Sequence, residues 1–195
     1  MEHKHHGKSS AKFLDAEDIL NEMHFNGDET FMDAGCGDGY ISIKAAKKYL
    51  PQGIVYAVDS YDVAINELEE YKDENDVQNL INVHADIAEG IPSVSDDSVD
   101  AVLMLNVFHG FRLSEDKDNV INELGRVIKN HGKIAVMEFK PLKMSWGPPV
   151  DVRISSDDLE EVFSQHDFKK VYLNEDIGSD IPEGKSHYLI IFEKE

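Results

Sequence analysis

Phe31-Met32-Asp33-Ala34-Gly35-Cys36-Gly37-Asp38-Gly39-Tyr40 (31–40) is the stretch on which the reading of this chain turns. Glu29 to Gly35 reads as a short strand running into glycines, and Tyr40 to Leu50 as a helix stopped by Pro51, whose ring cannot continue it. Gly35 and Gly37 lack the Cβ that would hold a ligand away from the backbone. The helix start that follows offers unpaired N–H groups and a positive dipole end. A glycine-rich turn alone marks little more than a tight turn. Its place between a strand and a helix gives it weight.

Working outward, the same alternation repeats. Residues 53–59 (GIVYAVD) read as a buried strand and Val63 to Glu74 as a helix with a polar face. Strands follow at 80–86 (LINVHAD) and 98–106 (SVDAVLMLN). A helix over Ser114 to Lys129 takes Ser114 as its cap, and Gly132 is read as the glycine closing its end before a strand at 132–139 (GKIAVMEF). The pattern then changes. KPLKMSWGPPV (140–150) is a loop and SSDDLEEVFSQH (155–166) a capped helix. KKVYLN and SHYLIIFE read as two strands joined by a long turn, EDIGSDIPEGK, and able to pair as an antiparallel hairpin. Upstream, Leu14, Ile19, Leu20 and Met23 share one face of a helix over Asp15 to Met23. Alternating elements with short links give an α/β fold: a Rossmann-like three-layer sandwich whose mostly parallel seven-stranded sheet ends in the hairpin. The expected organisation is an N-terminal arm and helix over 1–28 and one domain over 29–195.

Composition narrows the function. The chain has 195 residues, enough for one domain with a real core. No run approaches the roughly 18 to 20 apolar residues of a bilayer span, and MEHKHHGKSS has no apolar centre, so a cytoplasmic protein is expected. Against 39 acidic residues stand 19 basic ones, a net charge of −20 that repels phosphate backbones and disfavours general nucleic-acid binding. The single cysteine, Cys36, cannot build a thiolate cage, and His3, His5 and His6 read as part of a polar arm, so no metal site is expected.

In an open parallel sheet, ligands bind at the carboxyl ends of the strands near the switch in strand order. The polar residues gather there. Asp59 ends the second strand roughly 20 residues beyond the last glycine, the spacing at which an acid reaches a ribose diol; the competing reading is an exposed helix cap. Asp86 ends the third strand, placed to accept from an exocyclic amine such as that of adenine, or else to serve as a turn residue. Asn106 ends the fourth strand and leads into Val107, Phe108 and His109.

Together these motifs resemble the class I S-adenosylmethionine-dependent methyltransferases. FMDAGCGDGY is similar to that family's first motif, D/E-x-G-x-G-x-G, through Asp33, Gly35, Gly37 and Gly39. Asp59 matches its ribose-binding acid, Asp86 its adenine-binding acid, and DAVLMLNVFHG its fourth strand and following loop. The resemblance covers about 30 to 195. It implies S-adenosylmethionine as cofactor, with Gly35 and Gly37 beside its methionine part and Asp33 organising that end. Ser60 and Ile87 would contact the adenosine through backbone or packing. N-V-F-H-G and the segment from Gly147 to Ser155 look like the small-molecule branch around ubiquinone and menaquinone biosynthesis, which implies a small-molecule methyl acceptor.

Rival readings fit less well. A dinucleotide-dependent oxidoreductase would need glycine or alanine where Tyr40 stands. A base-amine methyltransferase would carry an N-P-P-Y type sequence, and Asn106-Val107-Phe108-His109 has neither proline. An arsenic-type enzyme would need several cysteines. Because the motifs report cofactor binding rather than turnover, a non-catalytic S-adenosylmethionine-binding or scaffold protein remains the alternative.

For chemistry, His109 is the candidate proton-handling residue, with plain loop packing as the competing reading. Phe108 and Trp146 could shape an apolar acceptor site or simply pack. Arg153 could hold an anionic acceptor, but a surface ion pair with Asp151 or Asp157 is the expectation. The 140–150 loop and the N-terminal arm suit a lid.

Overall fold

The computed structural model describes residues 10–112, 114 and 116–195. Residues 1–9, with the His3, His5 and His6 cluster, lie outside them. Seven strands form one sheet: β1 (Thr30–Ala34), β2 (Ile54–Asp59), β3 (Leu80–His84), β4 (Val99–Leu105), β5 (Ile128–Phe139), β6 (Phe168–Ile181) and β7 (Gly184–Lys194). Their order is β3-β2-β1-β4-β5-β7-β6. β1 to β5 are mutually parallel, and β7 runs antiparallel to both β5 and β6. The helices are α1 (Ala16–Glu22), α2 (Tyr40–Lys44), α3 (Asp62–Glu74), α4 (Asp116–Val127) and α5 (Ser156–Ser164).

Side chains alternate along each strand, so the sheet feeds two cores. Phe31, Val55, Leu103 and Met137 pack with Leu14, Ile19 and Leu20 of the α1 region on one face. Met32, Val102, Val136 and Ile190 pack with Ile121 and Leu124 of α4 and with Leu159 and Phe163 of α5 on the other. The order reverses between β1 and β4, and that crevice is where such sheets bind ligands.

Several local expectations are corrected. α2 runs only to Lys44 before one π-helical turn, Ala45–Tyr49, completes the segment. α4 starts at Asp116, whose N–H donates to Ser114 Oγ at 3.2 Å, and it ends at Val127. The chain enters β5 directly: Ile128 pairs with Val99, and the register then slips so that Lys133 pairs with Ala101. Gly132 therefore sits in this irregular strand rather than at a helix end. A side chain there would run into Ile128 and the Lys129 carbonyl, so a tertiary close approach, invisible to local pattern, explains the glycine. The long turn before β7 is also absent. β6 continues through it with register shifts to Ile181, Gly178 taking φ +92°, and only Pro182 and Glu183 lie between the strands.

Candidate functional site

Asp33, the last residue but one of β1, is fully buried, and its Oδ2 accepts from Ser42 Oγ at 2.6 Å. Burial pushes this carboxyl up to about 7, the Ser42 hydrogen bond opposes that, and the nearby Asp59 charge adds to it. Asp33 thus ties the β1 tip to α2.

The three glycines that follow all take positive φ, +86° at Gly35, +53° at Gly37 and +74° at Gly39, but for different reasons. A Cβ on Gly35 would collide with Val107 of the loop after β4, and one on Gly39 with Leu68 of α3. A Cβ on Gly37 would meet nothing within 4 Å. Gly35 and Gly39 are bare so that the protein can close on itself, whereas Gly37 fronts open space. This divides the expected ligand-facing role of Gly35 and Gly37: only Gly37 is open.

Asp59 at the β2 tip holds that loop. Its Oδ2 accepts from Gly37 N at 2.8 Å and its Oδ1 from Tyr61 N at 2.9 Å. A carboxylate offers about four lone-pair sites, so accepting two backbone N–H groups leaves capacity for a diol. Ser60 is exposed, and its carbonyl lies 3.1 Å from His84 Nε2. Asp86, after β3, is exposed and its Oδ1 accepts from Ala88 N at 2.9 Å, the turn geometry anticipated as its competing reading. Ile87 beside it is buried.

Asn106 caps β4 in the left-handed region, φ +57°, and its N–H donates to Met137 O at 2.9 Å. Its side-chain oxygen is buried with no hydrogen-bond partner among the described residues. An orphaned acceptor costs about 1–3 kcal/mol unless something supplies a donor. The bare backbone at Gly37, the Asp59 acceptor and this orphaned amide oxygen at neighbouring strand tips fit a polar, nucleoside-bearing cofactor.

Beyond β4 the character changes. His109 is nearly buried, with its Nδ1 2.9 Å from Glu138 Oε2, and its backbone N–H donates to Glu138 Oε1 at 2.9 Å. Burial by itself would lower the His109 pKa. The Glu138 hydrogen bond and charge outweigh it, and the imidazole is held above its ordinary value. The sequence reading missed Glu138. Its signal was a lone acid in the apolar run IAVMEF, at a strand end. Phe108 is fully buried and tilts against Phe163, so it is core and not an acceptor wall.

Arg153 also departs from expectation. It is buried and makes no ion pair with Asp151 or Asp157; its guanidinium donates to the carbonyls of Pro148, Lys140, Leu142 and Trp146, at 2.9, 3.2, 2.6 and 3.0 Å. It therefore fastens the 140–150 loop from beneath. Among the described residues, no group of three or more His, Cys, Asp or Glu could hold a metal ion.

The fold has counterparts among known proteins. A family described as a methyltransferase domain matches residues 25–193. An arsenite methyltransferase of Halobacterium salinarum is 30% identical over 132 residues, which is 67% of this chain and 32% of that protein. The chain thus spans about a third of the length of this curated relative. A SAM-dependent methyltransferase of Aquifex aeolicus superposes with a TM-score of 0.79 at 24% identity, over 92% of this chain and 89% of the other. One from Methanosarcina mazei gives 0.69 at 17% identity, over 90% and 96%. The chain belongs to the methyltransferase domain family, of the class I S-adenosylmethionine-dependent type, and S-adenosylmethionine is the cofactor this family brings.

Proposed function

We propose that this chain transfers a methyl group from S-adenosylmethionine to a small-molecule acceptor by in-line displacement. One observation carries the proposal: Gly37 opens to free space within hydrogen-bonding distance of Asp59, while Asn106 presents an orphaned buried oxygen at the neighbouring tip. When bound, the cofactor supplies an electrophilic methyl on a sulfonium, and the protein's task is alignment. Gly35, Gly37 and Asp33 shape the methionine end, the last two by openness and by anchoring, Gly35 by packing. Asp59 and Ser60 serve the ribose, and Asp86 and Ile87 the adenine edge and face. Asn106 meets the cofactor from the β4 side.

His109 is the proton-handling residue of the proposal. Glu138 can only accept, so Nδ1 carries the proton and Nε2 is the atom that gains or loses one. A carboxylate-oriented imidazole of raised basicity suits an acceptor that must shed a proton as it is methylated.

The acceptor is small by the likeness of NVFHG and Gly147–Ser155 to the quinone-biosynthesis branch. Arsenic chemistry stays with the relative that bears its name: here the one cysteine, Cys36, is buried in the glycine turn and its thiol is held protonated by burial. Taking 29–195 as the methyltransferase domain, with 1–28 as its attached arm and helix, is supported by a family match that begins at residue 25. A cytoplasmic setting and the absence of a nucleic-acid partner belong to the same reading, the latter supported by a net charge of −20.

Calorimetric titration with S-adenosylmethionine and its demethylated product tests the site. Asp59→Ala should weaken binding by about 1–3 kcal/mol; unchanged affinity removes Asp59 from it. A screen of small acceptors for release of the demethylated product then tests turnover. Tight binding with no acceptor methylated from several chemical classes favours the scaffold alternative.

A further inference from the structure

β6 is the last strand of the sheet, and among the described residues it pairs only with β7. A strand at an edge leaves the N–H and C=O groups of its outer side for another chain. Its middle carries two of the large apolar side chains that the described residues expose, Val171 at 47% and Tyr172 at 40%. Register shifts fall between Lys170 and Tyr172, between Asn174 and Ile177, and between Ile177 and Asp180. Bulges of this kind guard an edge against pairing along its whole length. Between the first two, Tyr172, Leu173 and Asn174 keep unbroken register with Ile191, Ile190 and Leu189. A partner strand therefore has a short ladder to join, and Leu173 is its centre.

Charge changes sign across that centre. Upstream stand Lys169 and Lys170, and downstream stand Glu175, Asp176 and Asp180. Lys170 is engaged by Glu160 of α5. Lys169 is exposed and makes no ion pair among the described residues. Leu189 and Ile191 of β7 point into the core that holds α1, so Glu193, two residues on, and its partner Lys169 lie on that same face. Beside the downstream half of β6, also on the α1 side, is a recess of about 320 Å³ lined by Asp18, Glu22, Asp176, Ile177, Gly178 and Lys185 among others. The lysine in it is already taken, with Lys185 Nζ 2.9 Å from Asp180 Oδ1. The Asp180 hydrogen bond, followed by the charges of Asp180, Asp176 and Asp18, holds that ammonium above its ordinary pKa. Asp18, Glu22 and Asp176 leave the recess negative.

We propose that β6 pairs antiparallel with β6 of a second copy of this chain, about a two-fold axis at Leu173, so that Lys169 of each copy enters the acidic recess of the other. The bulges agree with this register. Counted along β7, Lys169 stands three ladder steps from Leu173, at Glu193 against Ile190, and Ile177 stands three steps the other way, at His187. A two-fold axis perpendicular to the sheet keeps each face on its own side and lays Lys169 opposite Ile177, next to Asp176. Parallel pairing would set lysine against lysine and acid against acid, so charge selects the antiparallel arrangement. Tyr172 of one copy then falls beside Asn174 of the other, and its exposed ring is covered. The joint lies at the sheet edge farthest from β3 and does not depend on the methyl-transfer reading.

Sedimentation velocity on the whole chain over a dilution series tests this. It is run at about 0.15 M salt, which screens the −20 carried by each chain beyond roughly 8 Å but not charges in contact. The wild-type chain should form a dimer that dissociates on dilution. Lys169→Asp and Asp176→Lys should each raise the dissociation constant about tenfold, because a two-fold axis meets every change twice. Both positions are exposed, so the urea midpoints of the two variants should stay near that of the wild type. Mixing the two variants is the decisive step. In a mixed dimer each aspartate at 169 or 176 meets a lysine, so association should return to within about threefold of wild type. A wild-type chain that stays monomeric at every concentration overturns the proposal, as does a mixture that gains nothing over its separate components. Variants that dimerise as tightly as the wild type also overturn it, and would assign the dimer to another surface.

Discussion

The two halves of the strand-tip surface are built by different means. Over β1, β2 and β3 the site is made of backbone and short side chains: glycines in left-handed turns, Asp59 gripping Gly37, Asp86 closing its own turn. Over β5 and β7 it is made of long buried side chains that meet from distant parts of the chain. His109 meets Glu138, Arg153 reaches under the 140–150 loop, and His187 is boxed by Phe139 and Trp146. The first half suits a ligand common to a whole family, whose atoms are always in the same places. The second suits a partner that differs from one relative to the next. A variant in one half should therefore leave the other half's ligand largely untouched.

Removing Arg153 tests that separation most severely. Its guanidinium satisfies four loop carbonyls at once, from a buried position over the Phe139 ring. Lysine, a single point donor, cannot replace that fork. Arg153→Ala should lower stability by about 3 kcal/mol in urea unfolding. Affinity for S-adenosylmethionine should change little, because the loop it fastens hangs on the β5 side. A cost under about 1 kcal/mol would mean that the loop carbonyls find water as easily as they find Arg153, and a large loss of cofactor affinity would merge the two halves.

What was legible in the sequence follows the same division. The sheet, its order of elements and its terminal hairpin were readable because they rest on periodicity and turn chemistry, both local. The placing of Asp33, Asp59 and the glycines at the strand tips was readable because a strand and the residues that follow it are adjacent in sequence. Glu138 was passed over because its partner is His109, 29 residues upstream, and nothing local marks a buried acid inside an apolar strand as paired. Arg153 was read as a surface ion pair because acids flank it, whereas burial, which turned it to backbone carbonyls, is a tertiary fact. Gly132 was read as a helix end because helices do end on glycine; only the register slip at the start of β5 shows the true constraint.

Within the cofactor half, the glycines offer a sharper contrast of moderate size. Gly35→Ala should cost about 2–3 kcal/mol, since the new methyl meets Val107 in a packed wall and φ is +86°. Gly37→Ala should cost only about 1 kcal/mol, from its left-handed backbone alone, but should lower S-adenosylmethionine affinity by more than its stability loss. Denaturant midpoints and calorimetry on the two variants separate these effects. Equal stability losses with equal binding would show that both positions serve packing and that the open space at Gly37 holds nothing.

The smallest effect concerns the charge state of His109, and its sign is what matters. Burial and Arg153 both push this imidazole's pKa down, and the hydrogen bond and charge of Glu138 push it up. In the wild-type protein the folded value lies above 6.5, so the stabilisation is complete below 6.5, the ordinary unfolded value, and fades as pH rises through the folded one. Glu138→Gln keeps an acceptor for Nδ1–H and for the His109 backbone N–H but removes the charge. Without that charge the imidazole's pKa falls, and the stability that protonating His109 adds at acidic pH shrinks. The gap between the two proteins should therefore be largest at the acidic end, about 1 kcal/mol, and should close toward alkaline pH. Urea unfolding across pH 5 to 8 measures the gap, and an NMR titration of the His109 ring protons locates the midpoint in each. If His109 titrates at the same pH in both proteins, Glu138 is not what sets its basicity, and the acceptor half loses the proton-handling pair that the proposed transfer assigns to it.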